Sequence, residues 1–459
     1  MTIDVVILAA GKGTRMRSPL PKVLQPLAGR PLLAHVLASA RQLPERRQIH
    51  IVVGYAATAV RSAFAQDGDL LWHEQEEQRG TGDAVRQALP GLQHAERVLV
   101  LYGDVPLLRA DTLQQFIHST PANALGLCTG LLPDPCGYGR ILRGPQAEVL
   151  GIREERDCSS AERAVAEVNL GILLLPAAPL RSWLERLQPS NAQGEYYLTD
   201  VVALARAEGV PVHGHRLHDP EEALGVNDPA QLAAAERYYQ RQQVQELMRA
   251  GLRCADPERL DLRGTLQFGV DCWIEPNVII EGKVRLGDRV RIGAGAILRD
   301  CEIAADVEIL PYSLLEEASI GAAARIGPFA RIRPGSLIGA HAHVGNFVET
   351  KKTILGEGSK ANHLSYLGDA EIGRGVNIGA GVITCNYDGV HKHRTLIGDQ
   401  VFVGSDTQLV APVAIGSGAT IGAGSTITRD VPAGGLTLSR SPQKSIPHWQ
   451  GPKKTCTPS

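Results

Sequence analysis

The sequence predicts two folds in one chain, an α/β domain followed by a parallel β-helix. In the second half a bulky aliphatic residue returns at every sixth position, as in the run Ile397, Val403, Leu409, Ile415, Ile421 and Ile427. In the first half, short apolar strands alternate with helix-like stretches. A period of six matches neither an α-helix nor a heptad and is typical of stacked hexapeptide coils, whereas strand–helix alternation is typical of an α/β sheet. The two halves therefore need separate cores.

The composition sets broad limits on the class of protein. A chain of 459 residues exceeds the usual size of one core, and a hydrophobic content of 44% is ample for two. The net charge of −2 gives no basic footprint for nucleic acid or for a membrane surface. The eight cysteines form no C-x-x-C pair, and no apolar run reaches membrane-spanning length. We therefore expect a cytoplasmic protein with reduced thiols, no nucleic-acid partner and no membrane insertion.

The strands of the first half end at glycine-containing loops. The predicted strands cover residues 4–10, 49–53 and 97–102, and the helix-like stretches between them cover residues 33–43 and 82–89. Ligands of such sheets bind at the carboxyl ends of the strands. We therefore expect the functional residues of this half in the loops after these strands.

Four segments follow from these patterns. The α/β domain is predicted at residues 1–226, a linker helix at 227–251, the solenoid at 252–437 and a tail at 438–459 whose end is expected to be disordered. Asn227-Asp228-Pro229 supplies a capping side chain and a first-turn proline, and Gly251 ends the helix. At three hexapeptides per coil, the solenoid has room for roughly ten coils.

The strongest local motif is the string L-A-A-G-K-G-T-R-M at residues 8–16. Its glycines expose backbone N–H groups, and Lys12, Arg15 and the nearby Lys22 add three cations, a combination that favours a polyphosphate cradle. The string is not a Walker loop. It is not a complete dinucleotide fingerprint either, because Met16 stands where the third glycine would be.

The solenoid carries polar residues that the repeat does not require, and one interruption. Arg333 directly follows the anchor Ile332, where glycine is usual, and after Thr384 the next anchor is Ile397. The intervening residues must loop out to keep the coils in register. Because residues one coil apart stack in space, polar side chains from successive coils can form one site.

These features carry a resemblance to known families. The string at residues 8–16 resembles the signature of the sugar-phosphate nucleotidyltransferases. Together with the hexapeptide half, the chain from Val5 to Arg440 is similar to the bifunctional N-acetylglucosamine-1-phosphate uridyltransferase/glucosamine-1-phosphate acetyltransferase family. The resemblance implies an α/β Rossmann-like nucleotidyltransferase domain followed by a left-handed parallel β-helix that carries acetyltransferase activity. It also implies a homotrimer with acetyl-transfer sites between subunits.

For the first site, the resemblance implies uridylyl transfer from UTP to N-acetylglucosamine 1-phosphate, which gives UDP-N-acetylglucosamine for cell-wall and lipopolysaccharide synthesis. Lys12, Arg15 and Lys22 match catalytic positions, and Asp104 and Asn227 match ligands of Mg²⁺. The other implied substrate contacts, together with Asn227, are Leu8, Ala9, Ala10, Gly11, Gln75, Gly80, Thr81, Tyr102, Gly103, Gly139, Glu154 and Asn169.

For the second site, the resemblance implies acetylation of glucosamine 1-phosphate by acetyl-CoA. His363 matches the general base, a task that suits an imidazole because it titrates near neutral pH. The implied contacts to the acceptor sugar are Arg333, Lys351, Tyr366 and Asn377. The implied contacts to acetyl-CoA are Ala380, Asn386, Tyr387, Ser405, Ala423 and Arg440.

Three alternatives stay open at this level. The first is a single-activity hexose-1-phosphate nucleotidyltransferase with a structural or regulatory solenoid. The second is a regulatory relative without activity, although an intact phosphate cradle argues against it. The third is a metal site in the solenoid formed by His341, His343 and His363. An assay that follows both CoA and pyrophosphate separates these possibilities.

Overall fold

The computed structural model describes residues 2–451, and the chain divides into two compact units, Met1–Tyr239 and Gln240–Ser459. The division falls inside the helix that the sequence predicts between the two halves. The predicted segment boundaries stay predictions, and the end of the predicted tail lies outside the described residues. Within residues 2–451 no helix combines the length and apolar character needed to span a membrane.

The helices of the described chain are α1 (Leu32–Arg41), α2 (Ala57–Ala63), α3 (Thr81–Ala88), α4 (Ala110–Ser119), α5 (Ser160–Arg163), α6 (Ala177–Arg186), α7 (Val201–Ala207) and α8 (Pro229–Arg249). The strands of the first unit are β1 (Ile3–Ala9), β2 (Pro26–Leu27), β3 (Arg30–Pro31), β4 (Arg46–Val53), β5 (Leu70–Glu74), β6 (Arg97–Tyr102), β7 (Leu125–Leu131), β8 (Arg140–Arg143), β9 (Val149–Arg153), β10 (Glu167–Pro176) and β11 (Val212–Arg216).

The first unit is built on one mixed sheet with the strand order β11-β7-β10-β6-β1-β4-β5. Strand β1 pairs in parallel with β4 and β6, while β10 runs antiparallel to β6 and β7. All seven residues of β1 are buried, because both faces of the sheet are covered. Alternate residues of β1 enter different cores: Val5 and Ile7 pack in one cluster, Val6 and Leu8 in another.

Helix α8 begins where the sequence supplies a cap. The Gln231 backbone N–H donates to the Asp228 side chain at 2.9 Å, and the Gln231 side chain accepts from the Asn227 N–H at 2.7 Å. This reciprocal bonding satisfies donors that the helix start leaves free. It also fixes the orientation of Asn227 just before the helix.

The strands of the second unit up to residue 351 are β12 (Arg253–Cys254), β13 (Leu260–Phe268), β14 (Trp273–Ile274), β15 (Val278–Leu286), β16 (Arg291–Ile292), β17 (Ile297–Arg299), β18 (Glu302–Ile303), β19 (Glu308–Ile309), β20 (Leu314–Glu316), β21 (Ser319–Ile320), β22 (Arg325–Ile326), β23 (Arg331–Ile332), β24 (Leu337–Ile338), β25 (His343–Asn346) and β26 (Glu349–Lys351). The remaining strands are β27 (Ile354–Leu355), β28 (Lys360–His363), β29 (Tyr366–Gly368), β30 (Ala370–Ile372), β31 (Asn377–Ile378), β32 (Ile383–Cys385), β33 (Thr395–Ile397), β34 (Phe402–Val403), β35 (Gln408–Val410), β36 (Val413–Ile415), β37 (Thr420–Ile421), β38 (Thr426–Ile427) and β39 (Leu436–Thr437).

These short strands stack in parallel into two sheets, one of 11 strands and one of 17, which we call the first and second solenoid sheets. Most partners in register lie 17 or 18 residues apart, as for Ile292 with Ile309 and Ile326 with Val344, and the spacing grows to 25 across the interruption, as for Ile378 with Val403. The sixth-position aliphatics fill the interior as one continuous core. The predicted fold class, an α/β nucleotidyltransferase-type domain followed by a left-handed parallel β-helix, is confirmed.

Two anchor positions in the described part of the solenoid are polar, which the six-residue pattern did not reveal. Thr350 and Thr384 are fully buried where aliphatic anchors are expected. The Thr384 hydroxyl satisfies its hydrogen bonds inside the coil: it accepts from the Gly368 N–H at 2.7 Å and donates to the Gly368 carbonyl at 3.0 Å. A buried hydroxyl with such partners is tolerated in an apolar core.

Candidate active sites

A cavity of about 380 Å³ opens at the carboxyl end of β1, the edge at which sheets of this type bind their ligands. Gly13 has φ +60°, and a Cβ there would stand 2.6 Å from the Lys22 Cβ, so glycine lets the loop close over Lys22. The cavity is lined by Leu8, Ala9, Ala10, Gly11, Lys12, Lys22, Val23, Gln75, Gln78, Gly80, Thr81, Ala84, Tyr102, Asp104 and Glu195.

The far wall of this cavity is formed by Gln75 and the loop that precedes α3. The buried Gln75 amide donates to the Asp83 carboxylate at 2.8 Å and to the Gly80 carbonyl at 3.1 Å. Gly80 has φ +111°, and a Cβ there would lie 2.7 Å from the Tyr196 carbonyl oxygen. The Thr81 hydroxyl accepts from the Leu198 N–H at 3.0 Å. This wall is therefore rigid and polar, which suits recognition of a flat base.

Asp104 and Asn227 converge on one cation. The Lys22 ammonium forms a short ion pair with the Asp104 carboxylate and lies 3.1 Å from the Asn227 side-chain oxygen. The Val226 N–H donates to the Asp104 carbonyl at 2.9 Å, which holds the two segments side by side. A carboxylate and an amide oxygen that already share a positive group are a donor set that fits Mg²⁺, which prefers oxygen and takes few protein ligands.

A second cavity, of about 300 Å³, adjoins the first and shares Thr81, Tyr102, Asp104 and Glu195 with it. It contains three of the predicted substrate contacts, Gly139, Glu154 and Asn169. Its lining also includes Val105, Gly137, Tyr138, Gly139, Glu154, Asn169, Leu170, Gly171, Gln193, Tyr197, Thr199, Ala223 and Gly225. Two adjoining cavities that meet at Asp104 can hold two anionic substrates with their reacting groups in contact.

Gly139, Glu154 and Asn169 lie on or directly beside the antiparallel strands β8–β10. The Asn169 N–H donates to the Gly139 carbonyl at 2.8 Å, and the Thr199 hydroxyl donates to the Glu154 carboxylate at 2.9 Å. A Cβ on Gly139 would lie 3.3 Å from a Glu154 carboxylate oxygen, so only glycine leaves this approach free. Gly171 has φ +82°, which lets the Tyr102 ring pack directly against its backbone.

Burial changes the acidity of two groups in this cavity. Desolvation raises the pKa of the Glu154 carboxyl, and the hydrogen bond from Thr199 opposes that rise. Desolvation, with the Glu154 and Asp104 carboxylates nearby, raises the pKa of the Tyr102 phenol. Tyr102 therefore stays protonated at neutral pH, and its hydroxyl remains available as a donor.

Three predicted residues of the first site, Arg15, Gly103 and Asn227, do not line these cavities. Arg15 is exposed on the turn Thr14–Met16 and lies outside both linings. Gly103 donates its N–H to the Leu8 carbonyl at 2.9 Å and thereby joins β6 to the end of β1. This bond fixes the backbone at Gly103 and thereby positions its two neighbours, Tyr102 and Asp104.

In the solenoid, four predicted residues form a column along one corner. The register pairs Ala361 with Ile378, Ile378 with Val403 and Val403 with Ile421. The residues two positions later therefore stack on successive coils, and these are His363, Ala380, Ser405 and Ala423. The Arg440 guanidinium donates to the Ala423 carbonyl at 2.8 Å and extends the column by one coil. We call this set the His363 column.

The predicted acceptor contacts lie on two different sheets. Arg333 and Lys351 are adjacent on the second solenoid sheet, because Ile332 pairs with Thr350, and Tyr366 lies on the next strand of that sheet. Asn377 instead lies on the first solenoid sheet, between Lys360 and Phe402. One chain therefore does not bring all four acceptor residues to one face.

Charged neighbours surround the acceptor residues. The Arg333 guanidinium donates to the Glu349 carboxylate at 2.6 Å. Contact with the Lys392 ammonium, followed by partial burial, lowers the pKa of Lys351, and the Asp369 carboxylate 4.0 Å away opposes that shift. Two ammonium groups held together create a site for an anion such as a phosphate.

The residues that interrupt the repeat form an ordered loop between β32 and β33. Asp388 accepts from the backbone N–H groups of Val390 and His391 at 2.8 and 2.6 Å and pairs with His393 at 2.7 Å. These bonds, chiefly that from His393, lower the pKa of Asp388 to about 2. Asn386 is buried against Asp369, whereas Tyr387 is exposed.

Sequence reasoning missed several residues that the structure places in these sites. Glu195 and Thr199 line the cavities of the first unit, while Asn346 and Lys392 contact His363 and Lys351 in the second. The repeat spacing could have pointed to Asn346. It lies two positions after the anchor Val344, and His363 lies two positions after Ala361, the corresponding residue of the next coil. The others lie in irregular segments, where spacing carries no information.

Within residues 2–451 no group of three or more His, Cys, Asp or Glu side chains is arranged to bind a metal. The third alternative from the sequence, a histidine metal site in the solenoid, therefore has no such cluster in the part of the chain described. Asp104 and Asn227 do not form a group of this kind, because they supply only one carboxylate and one amide.

Comparison with known proteins agrees with this architecture. Residues 5–165 match the family described as MobA-like NTP transferase domain, residues 262–355 the GMPPB C-terminal domain, and residues 394–429 six repeats of the bacterial transferase hexapeptide. Fold and sites thus define a class, nucleotidyltransferases joined to a hexapeptide-repeat transferase.

Full-length relatives narrow the class to one family. The bifunctional protein GlmU of Acidithiobacillus ferrooxidans is 64% identical over 454 residues and covers 99% of each chain. The bifunctional protein GlmU of Alkalilimnicola ehrlichii is 54% identical over 450 residues, which is 98% of this chain and 96% of that protein. The chain belongs to the bifunctional GlmU family, and the resemblance read from the sequence is confirmed.

A solved structure from Bacillus anthracis, provisionally assigned as a glucose-1-phosphate thymidylyltransferase, aligns with a TM-score of 0.41 and 19% identity, over 51% of this chain and 94% of that chain. The likeness is too low to support a conclusion about this protein.

Proposed function

We propose that this chain is a two-site enzyme that makes UDP-N-acetylglucosamine. The second unit acetylates glucosamine 1-phosphate with acetyl-CoA, and the first unit transfers UMP from UTP to the resulting N-acetylglucosamine 1-phosphate. The observation that carries the proposal is the meeting of two cavities at Asp104, in a chain whose other unit presents the His363 column. Since UTP and acetyl-CoA are intracellular metabolites, a cytoplasmic location follows from the proposed substrates.

In uridylyl transfer, a phosphate oxygen of the sugar phosphate attacks the α-phosphorus of UTP. One P–O bond forms, and the bond to the β-phosphate breaks with release of pyrophosphate. The attacking oxygen is already anionic, so no general base is needed. The main task of the enzyme is to position two anions and to neutralise their charge. Gln75 and Gly80 hold the base, Glu154 and Asn169 hold the sugar, and Lys12 faces the phosphates.

Asp104 and Asn227 are proposed to hold Mg²⁺, supported by their shared contact with the Lys22 ammonium. The bound ion would supply charge neutralisation for the phosphate oxygens. Lys22 occupies the space between the two side chains in the structure, so we expect it to move toward the phosphates when the cation binds. Arg15, which is exposed, is proposed to act only when the glycine-rich loop closes on the nucleotide.

In acetyl transfer, the amine of glucosamine 1-phosphate attacks the thioester carbonyl. The C–N bond forms, the C–S bond breaks, CoA leaves as the thiolate, and the amine proton passes to His363. The paired ammonium groups of Lys351 and Lys392, with Arg333, are proposed to bind the sugar phosphate. Ser405, next in the column after Ala380, is proposed to donate to the thioester oxyanion.

The chain is proposed to act as a homotrimer. One observation in its support is that Asn377 lies on a different sheet from Arg333 and Lys351, so a neighbouring copy is required to complete the acceptor site. A second is an exposed apolar corner formed by Tyr312, Phe329, Phe347 and Leu364, which we call the aromatic corner. Its rings stack with centroids 5.3 and 5.5 Å apart, and such exposed patches are typical of subunit contacts.

The test separates the two activities within one chain. Purified protein is assayed with glucosamine 1-phosphate, acetyl-CoA, UTP and Mg²⁺ while CoA and pyrophosphate are both followed. We expect His363→Ala to lower acetyl transfer by roughly 100-fold or more and to leave uridylyl transfer to pre-acetylated substrate intact. Asp104→Ala should do the reverse, by roughly 100-fold or more.

Matched controls are available on both units. His341→Ala removes an exposed corner histidine, and Asp111→Ala removes a first-turn carboxylate of α4; both should behave as the parent. If the parent releases pyrophosphate but no CoA, the solenoid is not an acetyltransferase, and the single-activity alternative replaces this proposal. Loss of both activities in either single variant would also count against two independent sites.

A further inference from the structure

His363, the general base proposed for acetyl transfer, has a hydrogen-bonding partner on the preceding coil. The His363 Nδ1 atom lies 2.9 Å from the Asn346 side-chain oxygen. The two residues are paired in register where β25 meets β28, so they occupy the same position of adjacent coils. Asn346 is thus one coil before the His363 column, on the side away from Ala380.

This contact decides which ring nitrogen carries the proton. An amide oxygen can only accept a hydrogen bond, so its partner Nδ1 must carry hydrogen. In a neutral imidazole the lone pair is then on Nε2, which points away from Asn346 and is the atom free to accept a proton. Without such a partner, the two tautomers of an exposed imidazole interconvert, and the ring also rotates.

The surrounding backbone makes the contact rigid. The Leu364 N–H donates to the Asn346 carbonyl at 3.1 Å, and the Ser365 hydroxyl donates to the His363 carbonyl at 2.9 Å. A Cβ on Gly345 would stand 2.0 Å from the Asn362 carbonyl oxygen, so only glycine permits the two coils to approach here. Both side chains therefore start from fixed backbone positions.

The neutral charge of Asn346 also fits a base that must be unprotonated. The titratable groups on the two strands around this pair are His343 on β25 and Lys360 on β28. Burial, together with Arg325, Lys360 and His363, lowers the pKa of His343. A carboxylate in place of Asn346 would stabilise the imidazolium form of His363, whereas an amide orients the ring without holding a proton on Nε2.

We propose that Asn346 is a positioning residue that fixes the Nδ1–H tautomer of His363 and leaves Nε2 as the proton acceptor for the sugar amine. The inference rests on the proposed acetyl-transfer function of the second unit. It adds a residue that acts through His363 and does not itself touch the reacting atoms. It also gives a physical reason for an amide, and not a carboxylate, at this position.

The first test measures the kinetics of Asn346→Ala. We expect kcat for acetyl transfer to fall by roughly 10–100-fold, a typical cost of losing the partner that orients a functional imidazole. KM for acetyl-CoA should stay within about two-fold, because the residue does not contact that substrate. Uridylyl transfer by the same preparation should equal the parent, which shows that the chain is folded. Parental acetyl transfer, or an equal fall in both activities, overturns the proposal.

The second test uses the pH dependence of Asn346→Asp. A carboxylate facing Nδ1–H stabilises the protonated ring, so the acid limb of the kcat/KM profile should move to higher pH by roughly one unit. Activity should recover at alkaline pH, which a purely structural defect would not allow. Gln400→Glu, an exposed amide-to-carboxylate change at another corner, should leave the profile unchanged. An unshifted profile in Asn346→Asp overturns the proposal.

The third test reads the tautomer without relying on activity. In protein labelled with ¹⁵N-histidine, the His363 resonances, assigned by their loss in His363→Gln, should show Nδ1 protonated and Nε2 unprotonated above neutral pH. In Asn346→Ala they should shift toward a mixture of tautomers. An Nε2–H tautomer in the parent overturns the inference even if acetyl transfer is active. The predicted tautomer in a chain that releases no CoA would leave the geometry standing and remove only the proposed function.

Discussion

Glu154, one of the residues proposed to bind the sugar, occupies its position at a cost in stability. Its carboxylate lies in the second cavity of the first unit, where the Thr199 hydroxyl donates to it at 2.9 Å. Desolvation raises its pKa, so the ionised form is disfavoured in the folded chain. A carboxyl whose pKa is higher in the folded chain than in the unfolded chain adds to the free energy of unfolding below its unfolded pKa. That added stability is lost as the pH rises through the folded pKa.

We therefore predict opposite effects of Glu154→Gln on stability and binding. The variant should unfold at a higher temperature than the parent at about pH 8, and the difference should vanish at about pH 3, where the carboxyl is protonated in both states. KM for N-acetylglucosamine 1-phosphate should rise by roughly 10-fold, because a charged acceptor for sugar hydroxyls is lost. Thermal unfolding at both pH values and uridylyl-transfer kinetics check this.

A substitution at the neighbouring Glu155 tests whether the changes in stability and KM are specific to Glu154. Glu155→Gln alters a carboxylate on the same turn that pairs with Arg140 at 2.7 Å and lies outside both cavity linings. It should leave KM unchanged and should not gain stability at alkaline pH. A stability gain in Glu154→Gln that persists at acid pH would contradict the electrostatic explanation.

At the scale of elements, the loop between β32 and β33 is ordered by its own side chains. Asp388 caps two backbone N–H groups and pairs with His393, and the loop presents Lys392 to Lys351. Loops of this kind hold their conformation only while such local bonds persist. The position of Lys392, and with it the cation pair, therefore depends on Asp388.

We predict that Asp388→Ala disorders this loop without unfolding the solenoid. KM for glucosamine 1-phosphate should rise by roughly 10-fold or more, because two charge-assisted contacts to its phosphate are weakened. The melting temperature and uridylyl transfer should stay close to the parent. Limited proteolysis near residue 390 combined with acetyl-transfer kinetics measures both effects.

Asp306→Ala serves as the matched variant. It removes an exposed carboxylate that pairs with Arg289, and this ion pair lies on coils well before the loop in the chain. It should leave the loop resistant to protease and the kinetics unchanged. Normal acetyl-transfer kinetics in a proteolytically sensitive Asp388→Ala chain would remove Lys392 from the acceptor site.

For the whole molecule, the aromatic corner is the surface that we propose for the contact between subunits of the trimer. We predict that Phe347→Asp weakens subunit association by roughly 30-fold or more, because a charge replaces a ring within a stacked apolar surface. Sedimentation should then show smaller species at micromolar concentration. Acetyl transfer should fall with dissociation, while uridylyl transfer, whose cavities lie within one unit, should persist.

The comparison for this prediction is Leu396→Asp. Leu396 is also an apolar, exposed residue, and it lies on a different side of the coil. It is 43% accessible, against 56% for Phe347. This variant should remain trimeric and active. A Phe347→Asp chain that keeps the parental sedimentation profile would place the subunit contact elsewhere.

Much of the architecture was predictable because it repeats or because it is buried. The strand Arg97–Tyr102 matches the sequence expectation at both ends, and α8 lies where capping residues and Gly251 predict a helix. The six-residue period revealed the solenoid, since every aliphatic anchor must enter the same narrow core. The glycine-rich loop at residues 8–16 was equally visible, because glycines and cations cluster there within a few residues.

What the sequence did not reveal depends on contacts between distant segments. The antiparallel insertion of β10 between β6 and β7, the pairing of Lys22 with Asp104, and the approach of Lys392 to Lys351 all join residues far apart in the chain. Periodicity does not encode such pairings.

By itself, then, the sequence determined the fold class of each half and which residues were candidates for its sites, because composition, period and local motifs act over short distances. The tertiary structure alone decided the geometry. It stacked His363, Ala380, Ser405 and Ala423 into one column, set two cavities on either side of Asp104, and gave His363 a neutral partner in Asn346. The physical reason is that register between coils and strands arises only when the whole core packs together.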